Sequence, residues 1–270
     1  MKQCRDVRPL GEDGPQTPTP MRALPLAAFA LGSLALGSLT LTVVALAQPA
    51  ARLLFDGRTP FEPAPPAAAE LRAVRATVLP PARVYWQKQE PGTEEDFEVL
   101  GAAEGAFFGP GRAARAVLYR YSAVPRCCPK LGLAFFEGAR LIAHAAYTAN
   151  DVGLARVVDV DGDGRDEILL RSSFGMGGDA SEGASLVSVG GGGALVPGAA
   201  FDVSGDDCAM GRPGGAMHAA RVLVRAGPAP AFVEERFTSA CEPVRWRLDG
   251  PARPIEAVVA ETAFARLPIR

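Results

Sequence analysis

The spacing of apolar residues changes rhythm along the chain. From Leu24 to Ala47 they run almost unbroken, and no charged residue occurs between Ala23 and Ala51. A helix over this run would be about 36 Å long at 1.5 Å per residue, enough to cross a bilayer. In 48–69, Pro49, Pro60, Pro63, Pro65 and Pro66 stand among alanines with no helical or strand period, which predicts a tether. Leu71, Val74 and Val78 then fall on one face of a short helix over Glu70 to Leu79, with Pro80-Pro81 expected to stop it.

From Arg83 onward the apolar residues come in short runs separated by turn residues. The runs are Val84 to Trp86, Ala116 to Tyr121, Leu131 to Phe136, Leu141 to Tyr147, Leu154 to Val160 and Glu167 to Ser172. Further runs are Leu186 to Val189, Ala194 to Val196, Ala220 to Val224, Ala231 to Phe237, Val244 to Leu248 and Ile255 to Ala260. Glu137-Gly138-Ala139 and Gly190 to Gly193 read as tight turns between neighbouring runs. This pattern predicts one all-β domain over residues 70–270, an antiparallel meander built as a small or incomplete β-propeller-like unit or as a β-sandwich. No segment recurs, so a long repeat array is not expected.

The apolar run carries the marks of export. Arg22 precedes it, and Ala45-Leu46-Ala47 places small residues at the −3 and −1 positions for cleavage before Gln48. Residues 1–47 are therefore expected to be a signal peptide, with Met21 as an alternative start, or else an uncleaved anchor. Both readings put the domain outside the cytoplasm: secreted, periplasmic or in the cell envelope, or held at a membrane if the helix is retained. The formal net charge of −2 leaves no basic stripe to displace phosphate counterions, so nucleic acid is not an expected partner. Of the 28 basic residues only Lys2, Lys88 and Lys130 are lysines, which reads as genomic composition rather than a phosphate site.

The one sharp chemical feature is Asp159-Val160-Asp161-Gly162-Asp163-Gly164-Arg165-Asp166-Glu167-Ile168. Carboxylates at loop positions 1, 3 and 5 project into one concavity, and Gly164 at position 6 permits a sharp turn. The carbonyl of Arg165 at position 7 and the carboxylate of Glu167 at position 9 complete an all-oxygen shell. Hard oxygens in that number suit Ca²⁺, whereas Mg²⁺ demands tighter octahedral geometry. The helix–loop–helix form of this loop needs a bidentate Glu at position 12, where Leu170 stands. The β-branched flanks predict strand–loop–strand instead.

With those flanks the segment resembles the FG-GAP repeat, of the VCBS or integrin-α N-terminal type. The resemblance covers roughly Asn150 to Gly183 and rests on D-x-D-G-D-G followed by an acidic and then a hydrophobic residue. It implies a Ca²⁺ loop joining two strands of a propeller blade, with Asp159, Asp161, Asp163, the Arg165 carbonyl and Glu167 as ligands. Glu167 departs mildly from the family's commoner Asp. Adhesion and ligand binding are what the family implies about partners, here a protein or a carbohydrate.

Beyond residue 47 the cysteines are Cys127, Cys128, Cys208 and Cys241, an even number that in an exported chain points to disulfides. Either Cys208 pairs with Cys241 and leaves Cys127 and Cys128 over, or each of the adjacent pair reaches one distant partner. No nucleophile elbow, zinc-protease helix or phosphate loop occurs. His144 is expected in a sheet, His218 exposed after a Gly-rich loop, and the acidic clusters Glu94-Glu95-Asp96 and Asp206-Asp207 in solvent. The expected function is therefore an exported, calcium-binding, non-catalytic binding or structural protein. The alternative is an extracellular hydrolase or accessory domain that uses Ca²⁺ only for stability.

Overall fold

A computed structural model describes residues 50–61, 66–123, 128–157, 159–176, 179–208 and 215–269. The expected N-terminal apolar helix lies outside them, and among the described residues no helix is long and apolar enough to cross a membrane. In chain order the elements are β1 (Arg52–Asp56), α1 (Ala68–Gln89), β2 (Glu98–Gly105), β3 (Ala114–Ser122), β4 (Lys130–Glu137), β5 (Arg140–Thr148) and β6 (Asp151–Val157). They continue with β7 (Glu167–Met176), β8 (Asp179–Val189), β9 (Leu195–Asp206), β10 (Ala216–Arg225) and β11 (Ala231–Ala240). Short strands β12 (Arg247–Leu248), β13 (Arg253–Ile255), β14 (Val258–Val259) and β15 (Ala265–Arg266) follow.

The protein is mostly β and antiparallel, as its apolar rhythm predicts. A five-stranded sheet has the order β15-β5-β4-β3-β2. A ten-stranded sheet runs β12-β11-β10-β9-β8-β7-β6, with β1, β13 and β14 pairing off this path on β10, β11 and β9, and it is not closed. The expected turns are present. Glu137 pairs with Arg140 across Gly138, whose φ of 58° is open to glycine at no steric cost. The Gly190–Gly193 segment joins β8 to β9 through a single 3₁₀ turn.

Three apolar layers follow from period-2 alternation. Leu118, Leu131, Leu133 and Phe135 of the smaller sheet pack on Leu154, Ile168, Leu170 and Val187 of the larger. The alternate residues Val117, Tyr119, Tyr121, Ala134 and Phe136 face α1 through Val78, Ala82 and Trp86. The opposite face of β7–β9, with Leu169, Leu186 and Phe201, is covered by Val222 and Val224 of β10, Phe232 of β11 and Phe55 of β1.

Two expectations are corrected. The helix does not stop at Pro80-Pro81 but continues to Gln89, so Val84 to Trp86 is helical and not a strand. An interior proline costs roughly 3 kcal/mol. Full burial of Val78, Ala82 and Trp86 against the sheet offsets it, at roughly 1.5–3 kcal/mol per large side chain. The segment expected to be a structureless tether contains β1, which pairs with β10 from Arg52↔Val224 to Asp56↔Arg221.

Candidate metal site

β6 and β7 pair in register from Asp151↔Ser172 to Val157↔Glu167, and the acidic loop is the connection between them. Strand–loop–strand is thus the local architecture. Gly162 and Gly164 sit at φ of 83° and 84°, left-handed conformations that most side chains avoid. Gly164 is doubly constrained, because a Cβ there would meet Pro110 Cγ at 2.6 Å.

These two reversals turn alternate side chains to the inside. Ligand oxygens of Asp159, Asp161 and Asp163 lie within 4.8 Å of one another. Asp159 Oδ1 accepts from the Gly162 N–H at 2.6 Å and its Oδ2 from the Gly164 N–H at 2.8 Å. Asp161 accepts from the Asp163 N–H at 3.0 Å, and Asp163 from the Arg165 N–H at 2.8 Å. Each carboxylate oxygen has a further lone pair for a cation after accepting one bond.

Glu167 stands behind this group rather than within it. It is 3% exposed, and its Oε2 accepts from the Val160 N–H at 2.8 Å. Burial, followed by repulsion from Asp161, Asp159 and Asp163, pushes its pKa up to about 7 against the pull of that N–H. Arg165 directs its Nε to Asp163 Oδ2 at 3.2 Å and its Nη1 to the Val189 carbonyl at 3.1 Å. The loop therefore carries one internal counter-charge. The donor set is all oxygen, which fits a hard divalent cation and not a soft one.

Several contacts hold the loop in place. Asp166 Oδ2 accepts from the Ala106 N–H at 2.8 Å, tying the loop to the segment between β2 and β3. The Val160 carbonyl accepts from the Gly227 N–H at 3.1 Å, and the Asp159 carbonyl from Arg52 Nη2 at 2.6 Å. Asp166 could be suspected from its place beside the ligands. Arg52, 107 residues away, carries no sequence signal.

The other sequence candidates have structural partners. His144 is 2% exposed, and its Nε2 shares a 2.6 Å hydrogen bond with the Tyr119 hydroxyl. Burial pushes its pKa down to about 4. Glu95 pairs with Arg75 and Arg83, and Asp96 with Arg120. Asp206 and Asp207 accept from the N–H groups of Cys208 and Ala216. His218 lies on β10 and is exposed, as expected. Cys208 and Cys241 form a disulfide, and Cys128 is also disulfide-bonded; Cys127 lies outside the described residues.

No protein family, no curated protein and no solved structure matches this chain.

Proposed function

We propose that the chain is an exported calcium-binding protein without catalytic activity of its own, in which Ca²⁺ clips the β6–β7 hairpin. Convergence of Asp159, Asp161 and Asp163 between two strands carries this reading. In bulk water two carboxylates about 4 Å apart repel by about 1 kcal/mol, so three in one concavity favour a divalent cation. Asp159, Asp161 and Asp163 would hold the ion from one side. The Arg165 carbonyl and Glu167 would complete the shell, Glu167 by a small rotation away from Val160. The ion would neutralise and rigidify the loop.

The FG-GAP resemblance agrees with this arrangement. On that reading β6–β9 form the blade-like unit, within a sheet that continues past it. The buried, hydrogen-bonded His144 and the paired acidic clusters favour a binding or structural protein over a hydrolase. The apolar run before Gln48 and the Cys208–Cys241 disulfide support residence outside the cytoplasm. Extracellular calcium sites commonly have Kd of about 10⁻⁴–10⁻³ M, so the ion serves structure rather than signalling. Titration calorimetry with CaCl₂ tests the reading: one saturable site is expected, and no binding at millimolar Ca²⁺ would remove it.

A further inference from the structure

A second site lies where the larger sheet folds back on itself, far along the chain from the acidic loop. A cavity of about 260 Å³ opens between β9, β10 and β11, with Asp202, His218, Glu234, Arg236, Thr238 and Asp249 as its polar wall. Glu234 is held rigidly, and His218 has its space set by its neighbour. Gly205 faces His218 across the β9–β10 ladder, and a Cβ on Gly205 would lie 2.2 Å from the imidazole Cε1. The ring therefore rests in a cradle that only glycine leaves open. Glu234 is 5% exposed, and its Oε2 accepts from Arg236 Nε at 2.9 Å and from Arg253 Nη2 at 2.9 Å.

The other four polar side chains, His218 among them, are exposed and uncommitted. Among the described residues no hydrogen bond or ion pair engages the side chains of Asp202, His218, Thr238 or Asp249. Asp249 is nonetheless placed by its backbone, whose N–H donates to the Arg236 carbonyl at 2.8 Å. Thr238 stands directly opposite His218 on β11.

The charge pattern selects the ligand. Asp202, Glu234 and Asp249 outnumber Arg236 and Arg253, both of which are paired with Glu234, so the pocket carries one net negative charge, which disfavours an anion. A metal ion is disfavoured by distance, since ligand atoms of Asp202, His218 and Asp249 do not gather within 4.8 Å as those of the acidic loop do. What remains is an organic cation small enough for one six-membered ring, with hydroxyl groups to meet Thr238 and His218. We propose that this cavity binds a hydroxylated primary amine of amino-sugar size, its ammonium facing Asp202 and Asp249. The site is independent of calcium.

Ligand-observed NMR and calorimetry on the full chain, with glucosamine, glucose and N-acetylglucosamine as probes at low salt, test this. Glucosamine is expected to bind in the millimolar range and to weaken as salt screens the charge. Asp202→Asn/Asp249→Asn should weaken it by about tenfold or more without lowering Tm, because neither side chain supports the fold. Gly205→Ala should weaken it too by displacing His218. Three results would each overturn the proposal: no glucosamine binding, binding unchanged in the double variant, or glucose binding as tightly as glucosamine.

Discussion

Arg52 reaches from β1 to the first residue of the acidic loop, where its Nη2 donates to the Asp159 carbonyl oxygen at 2.6 Å. The bond joins the beginning of the folded domain to the connection between β6 and β7. Phe55 on the same strand shares an apolar cluster with Val160, so β1 and the loop are held by packing as well as by charge. Their coupling has a direct consequence. Arg52→Met should cost about 1 kcal/mol, the ordinary net worth of one hydrogen bond. Amide exchange should accelerate in both Leu53–Asp56 and Asp161–Gly164. Acceleration confined to β1 would show that the two segments move independently.

The loop itself predicts a calcium-dependent melting curve. With Ca²⁺ tenfold above its Kd, the bound ion should add about 1.4 kcal/mol of stability. Wild-type Tm should fall on EDTA addition. In Asp161→Ala, Tm in calcium should be lower and EDTA should no longer move it. Retained EDTA sensitivity in the variant would place the calcium effect elsewhere in the chain.

Much of this loop was legible in advance because its information is local. Carboxylates at alternate positions and glycines at Gly162 and Gly164 dictate the backbone reversal without help from the rest of the fold. The β4–β5 hairpin was legible for the same reason: short, nearly continuous apolar runs flank Gly138. What sequence reasoning missed depends on partners distant in the chain. Pro80 and Pro81 argue locally for a helix end, but the joint burial of Val78, Leu79, Ala82 and Trp86 against the sheet, with Trp86 stacked beside Tyr121, offsets their cost. β1 has no amphipathic rhythm because its strand identity comes from an open stretch of the β10 edge, whose other part pairs with β9. The cavity beside His218 was invisible because its wall gathers residues from Asp202 to Asp249 only once the sheet folds over. Glu167 sits at the predicted loop position, yet the Val160 N–H draws its carboxylate back from the other three.

The disulfide provides another test. Cys208 and Cys241 are separated by 33 residues, and closing a loop of that length is worth about 3–4 kcal/mol in the chain-entropy model. It also fastens the far ends of β9 and β11, where the ladder between β9 and β10 has only begun at Asp206↔Met217. Cys208→Ala/Cys241→Ala should lower stability by about that amount in denaturant titrations. It should also speed exchange at Met217 and Ser239 more than at Leu133. A loss below about 0.5 kcal/mol would show that the unfolded chain is already compact there.

Buried Asp151, Glu167 and His144 set opposing pH dependences, and substituting Asp151 should remove most of the net slope. Asp151 is 7% exposed, accepts from the Tyr147 hydroxyl at 2.9 Å, and is pushed up to about 7 by burial. Its folded pKa lies above its unfolded value of 3.8, so the native state binds more protons between these limits. Its contribution is fully present below about 3.8 and is lost as pH rises to about 7. His144 behaves in the opposite sense. Burial pushes it down from 6.5 to about 4, so its contribution is present above 6.5 and lost as pH falls toward 4. Glu167, pushed up to about 7, acts in the same sense as Asp151, so in EDTA wild-type stability falls as pH rises across the overlap. Asp151→Asn keeps an acceptor for Tyr147 and removes the titration. The variant should match wild type near pH 4 and exceed it by a margin on the order of 4 kcal/mol above pH 7, the equivalent of roughly three pKa units. Between those limits its stability should stay nearly level, because Glu167, also pushed up to about 7, loses stability as His144 becomes neutral. Denaturant midpoints measured in EDTA at several pH values decide it. A constant offset between variant and wild type would mean that Asp151 ionises normally and that its burial is relieved by solvent.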